Sequence, residues 1–150
     1  MGMERERYKL SVSQIVAAKR GEDIALNSGE ILPNSQLTYR PYEALSYAYC
    51  SDTNYSARLA KMVEGVDLLY HETTYAAAEK KLAKERGHSS TVDAAKVASM
   101  AGVGRLLIGH FSSRYKDLQP LVEECREIFP ASDIAEEGKT FLIEPKSHKQ

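Results

Sequence analysis

The chain has 150 residues and a mass of 16.7 kDa, which suffices for one domain with a hydrophobic core but not for two ordinary domains. Hydrophobic residues make up 43% and charged residues 27%, so neither extensive disorder nor a fibrous structure is expected. The formal net charge of -1 gives no overall positive field for nucleic acid, so any RNA contact must be local.

The sequence carries no signal for membrane insertion or secretion. Its apolar runs, such as residues 106–108, are far shorter than the roughly twenty residues of a transmembrane helix. The first ten residues lack the apolar core of a secretory signal. Two cysteines, Cys50 and Cys125, are too few for a disulfide framework. We therefore expect a cytoplasmic protein that makes no membrane contact.

The amino-terminal third, residues 1–45, is predicted to be an irregular lead-in to a single partial domain. Residues 12–19 have the pattern of a short helix. Residues 24–26 and 31–32 predict a hairpin around a turn at residues 27–30.

Short apolar runs alternate with helical stretches from residue 46 to residue 144, which is typical of an α/β fold. The predicted strands cover residues 47–50, 66–70, 105–109 and 140–143. The predicted helices cover residues 57–63, 75–86, 91–100 and 117–129. Gly65, Gly87 and Gly102 are expected to end the first three helices, and Ser90 with Asp93 forms a variant capping box at the start of the third.

Polar residues follow three of the predicted strands. Asp52 follows the first strand, His71 and Glu72 follow the second, and His110 follows the third. Side chains just past the carboxyl ends of strands in a parallel or mixed sheet point into the crevice where ligands bind. A carboxylate and an imidazole can bind a metal there, and a further Glu and His can move protons.

Each of these residues also has a structural explanation. Asp52 could cap the following helix, and His71 and His110 could each be satisfied by a backbone carbonyl. Glu72 could be a solvated charge, and His88 could be a surface histidine in a loop. The coincidence of several such residues at strand ends favours a site.

Several other kinds of site are excluded by their missing motifs. The two cysteines have no CxxC partner, no Walker loop or GxSxG elbow is present, and Tyr75 stands where an HExxH motif needs its second histidine.

Four segments resemble successive motifs of one enzyme family. They are SYAYCSDT at 46–53, LYHETTY at 69–75, GHSST at 87–91 and LIGHFSSRY at 107–115. In order and spacing they are similar to ribonuclease Z, the tRNA 3′-processing endonuclease of the metallo-β-lactamase superfamily. The resemblance covers residues 46–144 and corresponds to the carboxyl-terminal half of that enzyme.

The resemblance implies an α/β fold that is one half of a metallo-β-lactamase-type αββα sandwich, a mixed sheet with helices on its outer face. It implies a site with two zinc ions, in which Asp52 bridges the metals and His110 is a ligand. Glu72 and His88 match the catalytic pair that handles protons while a metal-activated hydroxide attacks the phosphodiester. Arg114 is a candidate for substrate binding, although it could also simply begin the last helix.

The departures from the family pattern are as informative. The HEAT motif reads HETT and the HST motif reads HSS, but neither change affects Glu72 or His88. The main metal motif, HxHxDH, is absent from the sequence. The chain alone is therefore predicted to be incomplete or inactive, with precursor tRNA and the missing amino-terminal half of the enzyme as partners. The strand at 106–108 would lack a cover on one face, so a homodimer is expected.

Two other functions stay open at this point. The chain could be a non-catalytic dimerisation or regulatory module of the same fold. It could also belong to another metal-dependent phosphodiesterase of the superfamily.

Overall fold

A computed structural model describes residues 2–3, 8–39 and 44–144 of the chain. The chain divides into two compact units, residues 1–44 and 45–150. His148, the fourth histidine of the chain, lies outside the described residues.

The described residues of the first unit include two small antiparallel ladders and two helices. Its strands are β1 (Gly2–Met3), β2 (Ile24–Ala25), β3 (Ile31–Leu32) and β4 (Thr38–Tyr39), and its helices are α1 (Val12–Lys19) and α2 (Asn34–Leu37). Strand β1 pairs with β4, and β2 pairs with β3. The predicted helix and hairpin of this region are both confirmed.

Helix α1 begins at a capping box. The Ser11 Oγ accepts a hydrogen bond from the Gln14 backbone N at 3.3 Å, and the Gln14 Oε1 accepts one from the Ser11 backbone N at 2.9 Å. Ala18 of this helix is fully buried and packs with Ile24, Leu32 and Leu37 in a small core.

The second unit is built on a four-stranded parallel sheet. Its strands are β5 (Tyr47–Cys50), β6 (Leu68–Glu72), β7 (Arg105–Gly109) and β8 (Ser132–Ile134), and they lie side by side in that order. All three pairings are parallel. The α/β class is therefore confirmed, and the antiparallel pairs found in the described part of the chain lie in the small ladders of the first unit.

Four α-helices connect these strands. They are α3 (Ala57–Met62), α4 (Lys80–Arg86, preceded by a 3-10 turn at Ala77–Glu79), α5 (Thr91–Ala101) and α6 (Gln119–Arg126). Gly87 ends α4 with φ +79° and Gly102 ends α5 with φ +56°, a left-handed conformation that glycine adopts without a steric penalty. At the start of α5, the Asp93 Oδ2 accepts hydrogen bonds from the Ser90 N at 3.2 Å and the Ser90 Oγ at 2.7 Å.

The core of this unit lies between one face of the sheet and the helices. Helix α5 contributes a run of small residues, and the strands supply Leu69, Leu106 and Ile108, all with no exposed surface. The buried small residues of α5 are Ala94, Ala95, Val97 and Ala98. Small side chains let the helix backbone approach the sheet closely, so the helix position is well determined. Among the described residues, no helix combines the length and the hydropathy that crossing a membrane requires.

Two predicted strands are corrected by the structure. The last strand is Ser132–Ile134, whereas residues 140–143 join no ladder among the described residues. The second strand begins at Leu68 rather than at residue 66, because the Asp67 carboxylate is bonded to Ser46: its Oδ2 accepts from the Ser46 N at 2.8 Å and from the Ser46 Oγ at 2.7 Å. This pair starts the β5–β6 ladder one residue later on each strand.

The expectation of an uncovered strand at residues 106–108 is also wrong. Leu106, Leu107 and Ile108 are at most 4% exposed. The exposed aromatic side chains of the sheet lie instead on the edge strand β5, where Tyr47 is 50% and Tyr49 is 63% exposed.

Candidate metal and catalytic site

Four predicted site residues converge at the carboxyl end of the parallel sheet. Asp52 follows β5, Glu72 is the last residue of β6, His110 follows β7, and His88 lies in the loop before α5. The rings of His88 and His110 stack with their centroids 5.4 Å apart. The His88 Nδ1 lies 3.1 Å from the Glu72 Oε1, and the His110 Nδ1 lies 3.5 Å from the Asp52 Oδ1. Of the strand-end residues predicted to share one rim, Asp52, Glu72 and His110 lie together, whereas His71 does not.

Glu72 forms the base of this cluster. It is fully buried, although its sequence position is equally compatible with a solvated charge. Its Oε1 accepts hydrogen bonds from the backbone N of Thr53 at 3.1 Å and of Ser89 at 2.9 Å. Its Oε2 accepts from the backbone N of Thr74 at 3.0 Å and from the Thr74 Oγ1 at 2.7 Å. These donors compensate for the loss of water around the carboxylate.

The loop that carries His88 is tied to the loop after β5. The Ser89 Oγ donates to the Thr53 carbonyl at 2.6 Å, and the Tyr75 and Ser90 backbones form a parallel bridge. Because Glu72 binds the backbone on both sides of this contact, the buried carboxylate fixes the loops that present Asp52 and His88.

His110 occupies a strained backbone position. Its φ is +58°, a left-handed conformation that costs a non-glycine residue roughly 1–2 kcal/mol. Hydrogen bonds from the Thr73 N to the Gly109 carbonyl at 2.8 Å and from the Ser112 N to the Thr74 carbonyl at 3.1 Å hold this turn against the β6 end. Strain of this kind is concentrated at functional sites, where the surrounding structure enforces it.

Three of these residues could hold a metal ion. Asp52, His88 and His110 each offer a ligand atom, and the three atoms lie within 4.8 Å of one another. One carboxylate and two imidazoles are a donor set that Zn²⁺ favours, and three protein ligands leave a position open for water or substrate. The set therefore fits one divalent ion. Asp52 is free for this role because Ser56, not Asp52, caps α3, through a 3.4 Å hydrogen bond from the Leu59 N to the Ser56 Oγ.

His71 does not belong to the cluster. It is fully buried, and its Nδ1 donates to the Glu72 backbone carbonyl at 2.7 Å. This contact agrees with the alternative that His71 is satisfied by a backbone carbonyl. Burial lowers the pKa of His71, so its neutral form is favoured. Its Nε2 is buried and has no hydrogen-bond partner among the described residues, which makes protonation of this ring still more costly.

Arg114 lies beside the cluster and is held by an ion pair. Its guanidinium pairs with the Glu79 carboxylate and stands 5.3 Å from the centre of the Tyr75 ring. Tyr115 donates to the same carboxylate and accepts a hydrogen bond from the Ala76 N at 2.9 Å. Residues 112–114 do not begin the last helix, which starts at Gln119.

Sequence reasoning missed one residue of the site, Thr74. Its Oγ1 contacts Glu72, His88 and His110, so it lies at the centre of the polar network. The only sequence signal was its place in the LYHETTY segment, where it follows Glu72 by two residues.

Comparison with known proteins confirms the resemblance to ribonuclease Z. The chain is 44% identical over 136 residues to ribonuclease Z of Parabacteroides distasonis, which covers 91% of this chain and 45% of that protein. It is 41% identical over 136 residues to ribonuclease Z of Bacteroides thetaiotaomicron, which covers 91% of this chain and 43% of that protein. No protein-family model matches the chain.

A solved structure supports the fold. The metallo-beta-lactamase fold protein YhfI from Bacillus subtilis matches with a TM-score of 0.57 and 27% identity, covering 61% of this chain and 37% of that chain. The predicted metallo-β-lactamase-type fold is therefore confirmed. The chain spans less than half the length of the curated relatives it matches, in agreement with the prediction that it corresponds to about one half of such a protein.

Proposed function

We propose that this chain is one part of a zinc-dependent endoribonuclease that removes 3′ trailers from precursor tRNA. The observation that carries the proposal is the convergence of Asp52, His88 and His110 within 4.8 Å above the buried Glu72. The 44% identity to ribonuclease Z of Parabacteroides distasonis supports the choice of reaction.

Asp52 and His110 are the proposed metal ligands of the complete enzyme. In the isolated chain, His88 completes the three donors that would hold a single ion. A bound Zn²⁺ supplies positive charge that stabilises the developing charge on the phosphate and makes a neighbouring water more acidic. The two-zinc site of the family needs further ligands, which this chain would obtain from the rest of the enzyme.

His88 and Glu72 are the proposed proton-handling pair of the complete enzyme. The buried Glu72 carboxylate accepts from the His88 Nδ1 at 3.1 Å and so orients the ring. From this position the ring can pass a proton to the leaving oxygen. His88 is partly exposed, which leaves its ring accessible to a substrate.

Arg114 is proposed as a phosphate contact at the edge of the site. The Arg114 side chain is 46% exposed, and a guanidinium binds phosphate oxygens with two parallel hydrogen bonds. The Glu79 pair holds the guanidinium near His88, since Tyr75 lies under Arg114 and 6.2 Å from the His88 ring.

The proposed partners are precursor tRNA, the amino-terminal half of the same enzyme and a second copy of the chain, in the cytoplasm. The exposed Tyr47 and Tyr49 on the terminal strand support association of the chain with itself. A clean monomer in sedimentation experiments would contradict the homodimer.

Fragment complementation tests the function. The chain would be mixed with the part of Parabacteroides distasonis ribonuclease Z that its alignment leaves uncovered, with zinc and a precursor tRNA. We expect trailer cleavage from the mixture and none from either part alone. His88→Gln should lower cleavage by about 10²–10⁴-fold while the metal content of the mixture is retained, and Lys96→Gln, on the exposed side of α5, should have no effect. A folded, associated mixture that leaves precursor tRNA intact would refute the proposal.

A further inference from the structure

Thr74 occupies a position between the proton-handling pair and the proposed metal ligand. Its side-chain oxygen lies 2.7 Å from the Glu72 Oε2, 2.9 Å from the His110 Nδ1 and 3.2 Å from the His88 Nδ1. The residue is 7% exposed, so these contacts are largely shielded from water. One hydroxyl has one proton to donate, and the partners determine where it goes.

The proton of Thr74 is directed to Glu72. The Glu72 carboxylate faces the backbone N–H groups of Thr53, Ser89 and Thr74, so both of its oxygens act as acceptors. The shortest of the three Thr74 side-chain contacts is the one to this carboxylate. The hydroxyl oxygen is then left with lone pairs only, so it can accept from the nearer of the two imidazole nitrogens, the His110 Nδ1 at 2.9 Å, while the His88 Nδ1 faces the Glu72 Oε1 at 3.1 Å.

We propose that Thr74 is a positioning residue that holds His110 in the tautomer protonated on Nδ1. The Nδ1–H of His110 donates to the Thr74 oxygen, and the lone pair of the ring is therefore on Nε2. This nitrogen is the one left available for a metal. The inference deepens the proposed function, because it rests on the assignment of His110 as a metal ligand.

Two further features support a His110 protonated on Nδ1. The Asp52 Oδ1 lies 3.5 Å from the His110 Nδ1, which is longer than an ordinary hydrogen bond, so Thr74 rather than Asp52 is the partner of that nitrogen. The backbone of His110 is fixed at φ +58°. Ring orientation is thus constrained from the backbone and from the Thr74 hydroxyl together. Ligating histidines commonly donate their other ring N–H to such a second group.

The tautomer can be measured directly in the isolated chain without metal. Nitrogen-15 NMR at about pH 8, where an ordinary imidazole is neutral, distinguishes a protonated Nδ1 from a protonated Nε2. We expect wild-type His110 to be protonated on Nδ1, and Thr74→Ser, which keeps the hydroxyl, to behave in the same way. Thr74→Val keeps the shape and removes the hydroxyl, so a substantial Nε2-protonated population should appear.

Zinc titration provides the second measurement. Thr74→Val should weaken zinc binding by about tenfold or more, whereas Thr74→Ser should stay within about twofold of the wild type if the hydroxyl is what matters. An Nε2-protonated His110 in the wild-type chain would overturn the inference, even if zinc binds. An Nδ1-protonated His110 in a chain that binds no zinc would instead uphold the role of Thr74 and refute the metal assignment. The wild type and Thr74→Ser decide the tautomer even if Thr74→Val does not fold.

Discussion

The Glu72 carboxylate lies 3.1 Å from the His88 Nδ1, and it is fully buried while the His88 side chain is partly exposed. This relationship joins the end of strand β6 to the loop before α5. The same carboxylate also accepts backbone hydrogen bonds from Thr53 and Ser89. It therefore stabilises the fold and also fixes the loops that present Asp52 and His88.

Replacing this carboxylate should therefore destabilise the fold. Glu72→Gln exchanges one acceptor oxygen for an NH₂ group, which would face N–H donors and leave at least one of them unsatisfied. We expect the free energy of unfolding in urea to fall by roughly 1–3 kcal/mol. Glu64→Gln, at an exposed position, is the control and should change it by less than about 0.5 kcal/mol. Equal stabilities for the two variants would mean that the Glu72 network contributes nothing to the fold.

Metal binding by the isolated chain should depend on all three donors of the cluster. We expect one Zn²⁺ per chain by calorimetric titration, and an affinity reduced at least tenfold in each of Asp52→Asn, His88→Gln and His110→Gln. Asp117→Asn is a matched control, because Asp117 is exposed and accepts a hydrogen bond from the Gln119 N at the start of α6, outside the cluster. If the three variants bound zinc as the wild type does, the ion would have to be held elsewhere.

Gly109, at the end of β7, should not tolerate a larger side chain. A Cβ at this position would lie 2.7 Å from the Tyr70 Cε2, and the Tyr70 ring is stacked on Tyr49 with centroids 4.5 Å apart. Burial, with the nearby Tyr49 and Tyr47, raises the pKa of Tyr70 to about 12. We expect Gly109→Ala to cost about 1–3 kcal/mol of unfolding free energy.

A double-mutant cycle identifies the cause of that cost. If the Tyr70 ring is the obstacle, Gly109→Ala should cost much less in a Tyr70→Leu background than in the wild type. The same cost in both backgrounds would show that the backbone at Gly109, rather than the Tyr70 side chain, rejects the methyl group.

The buried His71 should make the fold sensitive to acid. Burial lowers the pKa of His71 in the folded chain below the ordinary value of 6.5. Below pH 6.5 the unfolded state therefore binds a proton that the folded state resists, and stability falls as the pH decreases through this window. The loss of unfolding free energy between about pH 7.5 and 5.5 should be smaller in His71→Gln than in the wild type. If His71→Gln lost as much unfolding free energy between these two pH values as the wild type does, the acid sensitivity would belong to other groups.

Much of the second unit could be predicted from local sequence patterns. The strands at 47–50 and 105–109 lie where the apolar runs placed them, because such runs are buried in a parallel sheet wherever they pair. Gly87 and Gly102 end their helices as predicted, since the left-handed end of a helix favours glycine for purely local reasons.

Elements that depend on long-range pairing were less predictable. Residues 140–143 have an apolar pattern, yet Ser132–Ile134 is the segment that pairs with Leu106–Ile108. The shift of β6 to Leu68–Glu72 depends on the contact between Asp67 and Ser46, which are 21 positions apart in the chain.

The sequence by itself determined the α/β class, the resemblance to ribonuclease Z and the identity of Asp52, Glu72, His88 and His110 as the residues of interest. It could do so because residue type, order and spacing are local properties. Only the tertiary structure decided that Glu72 is buried, that His71 lies outside the cluster and that Thr74 links Glu72 to His110. These properties depend on which groups from distant segments replace water around a side chain, and folding alone brings those segments together.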